Sequence, residues 1–424
     1  METGQRLQAD TRSHAGNDEA SAAEASASGT EAGRRVRAAS SADEVRVLKV
    51  VLSLALLCGF ALSRRLWVST GRLYPNVPAF DFLPTVAPPL DYVLFGALVV
   101  LLTLVVIQAR PSRLCAVALV VLASALVLFD ESRLQPWFYQ YLFLMLALAA
   151  HSWEEIDART CLRACGLVVA CVYFWSGVQK LNPQFFGDVV PSLAGPYLAR
   201  MPASFARLAV PLALLVPLIE ICAGVFLLTR RLRRVGVVLA VVTHAVVLML
   251  FVPFRRNNVI WPWNVSMIAF VIVIFRREAS GVRDFLPRRL LSLQTLAVVL
   301  FGLMPALSLF GLWGQNLSAA LYSGNVARAE FTVSKRVARR LPTRVQQKLR
   351  PAPDGLRLDI NHWSYAELNV PAYPSERVYR RAAVALCEFA ESPSDVRLEV
   401  TAPPRLFGDV TQTTTLDCDA LTKR

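Results

Sequence analysis

An all-α polytopic membrane bundle of about nine transmembrane helices, carrying a small C-terminal extracytoplasmic α+β domain, is the fold class this sequence predicts. Three observations carry it. The 424-residue chain is 55% hydrophobic, and its apolar runs repeatedly approach the roughly 20 residues that cross a hydrocarbon core. Lys and Arg gather on alternate connections between those runs, as membrane orientation requires. Beyond residue 325 the pattern changes to short alternating and amphipathic segments typical of a small soluble unit.

Residues 1–44 are rich in Ala, Ser, Glu and Gly with almost no large apolar side chain, which predicts a disordered cytoplasmic tail. The first apolar run starts too late for a cleaved signal peptide and reads as a signal anchor. Spans are expected at 46–62, 91–109, 114–129, 136–150, 161–179, 208–229, 235–252, 258–275 and 290–313. With the N-terminus cytoplasmic, the inner segments hold eighteen Lys or Arg, including the run Arg230, Arg231, Arg233 and Arg234, and the outer segments hold nine. That asymmetry accounts for the net charge of +14 through orientation, without nucleic acid.

The tail supplies the α+β domain, residues 325–424. "LRLDI", "AELNV" and "VRLEV" alternate like strands, and "SERVYRRAAVALCEFA" has a Ser start with helical spacing. The basic stretch "SKRVARRLPTRVQQKLR" suits a helix lying on headgroups or a solvated face. Six of the eight cysteines lie in or beside apolar runs, where a thiol packs as a small hydrophobe, so no metal site is predicted. Cys387 and Cys418 fall in the outer tail, where oxidation is permitted, and form a candidate disulfide pair; two free thiols are the alternative. There is no Walker loop, dinucleotide fingerprint, nucleophile elbow or zinc spacing. The abundance of Ala, Val, Leu and Arg suits a bacterial membrane protein from a GC-rich genome.

One stretch raises a chemical question. "YFWSGVQKLNPQFF", residues 173–186, sets Tyr173, Gly177 and Lys180 on one helix face at the mouth of the fifth span, with Pro183 ending the helix within a turn. The glycine leaves room beside the amine, which reads as a pocket wall. Spacing alone favours the simpler account in which Lys180 snorkels its amine to the headgroups. Glu220 and His244 lie inside the sixth and seventh spans, at matching depths if the chain turns at the RRLRR run, so they could meet. Such a pair could share a proton or clamp two helices. Trp261, Trp263, Phe185 and Phe186 could line a cavity or belong to an interfacial belt.

The stretch resembles the "YF-x-x-G-x-x-K-L" signature of the vitamin K-dependent gamma-carboxylase superfamily, which shares the HTTM transmembrane domain. "LIEICAGVFLL", "RRVGVVLAVVTHAVVLMLF" and "NNVIWPWNVSMIAF" follow in order, and "LYSGN" at 321–325 is also similar to bacterial members. The resemblance covers about residues 45–325. It implies Lys180 as the base that deprotonates vitamin K hydroquinone; a quinol-dependent enzyme of this kind would use a reduced isoprenoid quinone such as menaquinol, with Glu220 and His244 as supporting proton handlers. An amine held dry favours its neutral form, which suits a general base. Tyr173, Gly177, Phe185 and Trp263 would then line the cofactor site. Two departures stand out: Pro136 and Trp137 occupy the neighbourhood of an expected helper histidine, and the outer region is short. His151 lies at the opposite end of that span.

Three functions follow as expectations. The first is quinol-dependent modification of a secreted peptide or small substrate at the outer face. The second is a non-catalytic maturation, immunity or assembly factor on the same scaffold, its outer domain holding a secreted peptide. The third is a proton-coupled transporter, for which no inverted repeat is visible.

Overall fold

The computed structural model describes residues 40–108, 112–153, 155–202, 204, 212–254, 257–278, 280–403 and 412–422. Most of the expected disordered tail, through residue 39, lies outside the described residues. Its last part does not behave as expected: helix α1 already begins at Ser40 and runs Ser40–Leu62. Then follow α2 (Leu90–Ile107), α3 (Arg113–Phe129), α4 (Pro136–Ser152), α5 (Ala158–Gln179), α6 (Leu215–Leu228), α7 (Arg233–Phe251) and α8 (Ile260–Phe275). The last membrane helix, α9 (Leu293–Phe310), loosens into a π-turn at Val298–Leu303 just ahead of Pro305, which lacks a backbone donor.

The chain is an integral, multi-pass membrane protein. Along α7, Val235, Val238, Val242, Val246 and Met249 are exposed while Gly236, Ala240, His244 and Phe251 are buried. A stripe of valines at helical spacing facing outward is stable in lipid and costly in water. Five helices, α1, α2, α5, α7 and α9, are long and apolar enough to cross a membrane. The nine expected spans are not confirmed, because α3, α6 and α8 are apolar but shorter. At 1.5 Å per residue the 14-residue α6 rises about 21 Å, short of the roughly 30 Å core.

Capping explains several starts. Ser112 accepts from the Cys115 amide and Asp157 from the Thr160 amide, each satisfying an orphan donor of the first turn. Helix α5 is the axis of the bundle: 61% of its apolar window is buried, against 22% for α7. Arg133, counted above as an outer-loop charge, is instead fully buried and donates to the carbonyls of Leu66, Leu126 and Trp67. It pins the loop after α1 to the end of α3.

The C-terminal unit is a five-stranded antiparallel sheet of β1 (Arg328–Val333), β2 (Arg350–Ala352), β3 (Gly355–Asp359), β4 (Val396–Thr401) and β5 (Thr413–Asp417), in the order β2-β3-β1-β4-β5. Phe331 pairs with Leu358 on one side and Leu398 on the other, and the three side chains form its buried centre. Helices α10 (Ile360–Leu368), α11 (Glu376–Cys387) and α12 (Cys418–Thr422) accompany it, and a Cys387–Cys418 disulfide joins α11 to α12. "AELNV", expected as a strand, is the end of α10 and its turn, because Asp359 caps a helix there. The apolar residues of the basic stretch, Val337, Ala338, Leu341 and Val345, are buried within the domain, which leaves its basic residues at the surface.

The domain is seated on the bundle by buried polar contacts. The Glu367 carboxylate accepts from the Leu73 amide at 3.0 Å, the Tyr74 amide at 2.6 Å and the Trp363 indole at 2.9 Å. Asn369 donates to Leu62 O, Gln135 to Pro371 O, and Arg377 pairs with Glu131.

Candidate functional site

Three glycines decide how closely α5, α6 and α7 approach. A Cβ at Gly177 would lie 2.5 Å from Pro217 O and 2.8 Å from Ile221 N, and one at Gly224 would lie 2.6 Å from Ala170 O. One at Gly236 would lie 2.7 Å from Leu227 N. Only hydrogen fits at these positions, so α5 and α6 touch backbone to backbone, as small residues permit in membranes. Gly177 therefore serves helix contact; what it leaves beside the amine is α6.

That contact brings the Lys180 amine to the Glu220 carboxylate, Nζ to Oε2 at 2.6 Å, with both side chains under a tenth exposed. Lys180 Nζ also donates to Ser176 Oγ at 2.6 Å and Ser176 O at 3.2 Å. Three acceptors match the three protons of an ammonium. The amine is buried and paired with Glu220 instead of reaching the surface.

The Asn-Pro break after Lys180 now has a structural account. Asn182 Nδ2 donates to Gln179 O at 2.7 Å and Ser323 O at 2.8 Å, and its Oδ1 accepts from the Phe185 amide at 2.9 Å. Gln179 in turn meets Ser308 and Asn325. Gly324 adopts a φ of 78° and lies so close that a Cβ there would sit 2.8 Å from Phe185 N. The "LYSGN" segment is thus a lid locked over the end of α5, and Phe185 belongs to this turn, edge-on to Phe186.

His244 occupies the buried face of α7, its Nδ1 2.7 Å from Asn264 Oδ1. Asn264 Nδ2 already donates to Ile260 O at 2.8 Å, so the oxygen must face the ring and Nδ1 must carry the proton. Nε2 is left as a bare acceptor. Tyr173 meets the imidazole edge-to-face at 5.4 Å between centroids. Both His244 Nε2 and the Tyr173 hydroxyl are buried without a hydrogen-bond partner among the described residues.

The structure thus joins Lys180 with Glu220, and Tyr173 with His244. Glu220 and His244 do not bond each other as depth suggested; their hydrogen bonds go to Lys180 and Asn264. Trp263 stands apart. Its indole donates to Gln140 at 2.9 Å, and it lines a cleft with Cys171, Val172 and Trp175, whereas Tyr173 points elsewhere on α5. Ser176 and Asn264 escaped the sequence reading; each is a polar residue within an apolar run, and that was the available signal. No cluster of His, Cys, Asp and Glu able to hold a metal occurs among the described residues.

Comparison with known proteins finds one family model, described as methylamine utilisation protein MauE, matching residues 158–252. That segment is α5 through α7 and carries Tyr173, Gly177, Lys180, Glu220, Gly224, Gly236 and His244. No curated protein and no solved structure matches the chain. The resemblance to the gamma-carboxylase superfamily is thereby corrected, since the family found on these residues is a different one. The physical reason is visible in the geometry: glycines at helix crossings and a paired acid and base describe a packing solution, which does not specify an activity.

Proposed function

We propose that this multi-pass membrane protein is a non-catalytic maturation or assembly factor, whose C-terminal domain serves a partner protein on the extracytoplasmic side. One observation carries the reading: every proton of the Lys180 ammonium is already taken by Glu220 and Ser176, so the pair works as a helix lock. The match to a family named for methylamine utilisation supports an accessory role, and makes methylamine growth the first condition to examine. The Cys387–Cys418 bond supports an oxidising compartment for the domain. Among the described residues, strand β5 forms a sheet edge paired on one side with β4, and Thr413, Thr414 and Thr415 are exposed along it. Such an edge can accept an extended segment of a partner by strand addition.

The test separates a lock from a catalyst. Lys180→Met alone strands a buried carboxylate and is expected to destabilise by about 3–5 kcal/mol, whereas the double change Lys180→Met with Glu220→Leu restores stability. Complementation of a strain lacking the protein is expected from the double variant and lost on removal of residues 325–424. A stable double variant that fails to complement would sink the reading.

A second reading rests on the two unsatisfied atoms. An unpartnered Nε2 and an unpartnered hydroxyl, on rings whose centroids lie 5.4 Å apart, can hold the polar head of one lipid-soluble molecule, of which a reduced quinone is an example. Loss of quinol-dependent activity in His244→Leu, with the fold retained, would favour it.

A further inference from the structure

We propose that the turn at 80–83, in the connection between α1 and α2, is an anchor seated in the lipid headgroup layer on the side of the C-terminal domain. Phe80 and Phe82 are 50% and 81% exposed, and their rings stack at 5.3 Å between centroids. The turn is held in place. The Ala79 amide donates to Leu128 O at 2.8 Å, the Leu83 amide closes onto Phe80 O at 3.0 Å, and Asn76 Nδ2 reaches Val86 O at 3.1 Å. Pro78 and Pro84, whose rings fix φ, bracket it.

Depth follows from the bond to Leu128, which belongs to the last turn of the apolar helix α3 and is itself exposed. Phe80 and Phe82 follow Ala79 by one and three residues, so the chain carries neither Cα more than about 11 Å from it. A headgroup layer adds about 5–8 Å beyond each face of the hydrocarbon core, so the rings can reach it.

Charge and continuity select the occupant. Asp81, between the two phenyls, has its carboxylate 3.7 Å from the Arg381 guanidinium of α11, so the turn's one charge faces the C-terminal domain. From Phe82 to Leu90 the chain carries no charged side chain. Exposed Leu90, Tyr92 and Val93 continue that surface onto the outward side of α2, which packs beside α3. Phenyl and leucyl side chains on an uncharged surface at this depth are suited to the interface. The bilayer meets the rings wherever the protein is inserted; a protein partner would first have to displace it.

The full-length protein, carrying the photoreactive p-benzoylphenylalanine in place of Phe82, is irradiated in the membranes of the cells that express it, and adducts are read by mass spectrometry. A phospholipid adduct on the peptide that contains position 82 is expected. The same probe in place of Val93, on the outward side of α2, shows that lipid adducts form and are detected. An adduct of position 82 with another protein overturns the proposal, since the rings would then dock a partner. So does the loss of any lipid adduct at 82 while position 93 gives one. Phe82→Trp provides a second measurement in vesicles of phosphatidylethanolamine and phosphatidylglycerol. The emission gained over the wild type is expected to be quenched by lipid brominated near the headgroup end of its chains and to be shielded from aqueous iodide. Quenching by iodide alone overturns the proposal. Both substitutions are made at a ring that is largely exposed, so the fold is expected to keep its wild-type melting temperature.

Discussion

At the scale of single residues, the membrane helices and the C-terminal domain of this chain treat charge differently. Lys180 and Glu220 pair with each other inside the helix bundle, both side chains under a tenth exposed. Glu131, at the seat of the outer domain, is held between Arg377 and Ser375. Burial raises the Glu131 carboxyl above its ordinary 4.5, outweighing the opposing pull of Arg377 and the Ser375 hydrogen bond. The folded chain then keeps a proton that the unfolded chain releases, so this residue's contribution to stability falls as pH rises from 4.5 through the raised value. Glu131→Gln is expected to flatten that slope in melting temperatures taken across the mildly acidic range; an unchanged slope would assign the effect to another group. Residue chemistry was only half legible in the sequence. A lysine, a glutamate and a histidine inside apolar runs are conspicuous, but which of them pair depends on helix rotation and crossing, which spacing along one chain does not contain. Arg133 shows the converse: a loop position with ordinary sequence surroundings holds three buried carbonyls.

At the scale of elements, the glycines of α5 to α7 matter more than any apolar side chain near them. Gly177→Ala drives a methyl into backbone atoms of Pro217 and Ile221 that cannot move aside cheaply, and is expected to cost about 1–3 kcal/mol. Gly195→Ala, with nothing within 4 Å, is expected to leave thermal stability unchanged. Equal effects of the two substitutions would mean that α5 and α6 are not in backbone contact. The apolar helices themselves were readable because length and composition suffice to mark them. Their ends were not: α1 starts six residues before the expected position, since polar residues can extend a helix beyond the apolar stretch that identified it. In the outer domain, "VRLEV" and "SERVYRRAAVALCEFA" read correctly because alternation and a Ser cap agree with their setting. "AELNV" misled because alternation over so few residues also suits the end of an amphipathic helix.

At the scale of the whole molecule, two devices hold the C-terminal domain, one within it and one at its seat on the bundle. Replacing Cys387 and Cys418 by Ser opens a span of 31 residues and is expected to cost the domain about 2–4 kcal/mol, seen as earlier proteolysis of that domain. Glu367→Ala removes the acceptor of two loop amides and an indole, leaving three donors unmet; it is expected to undock the domain without unfolding it. Hydrogen exchange at Leu73 and Tyr74 would report that release, and continued protection there would show that other contacts suffice. The Glu367 clasp also governs reach. Because its carboxylate grips the backbone between the first two membrane helices, the sheet that ends in β5 is fixed to the bundle and does not swing on a linker. Under the proposed accessory role, a protein served there must bring its own slack, and geometry of approach, more than strength of attachment, selects which one can dock.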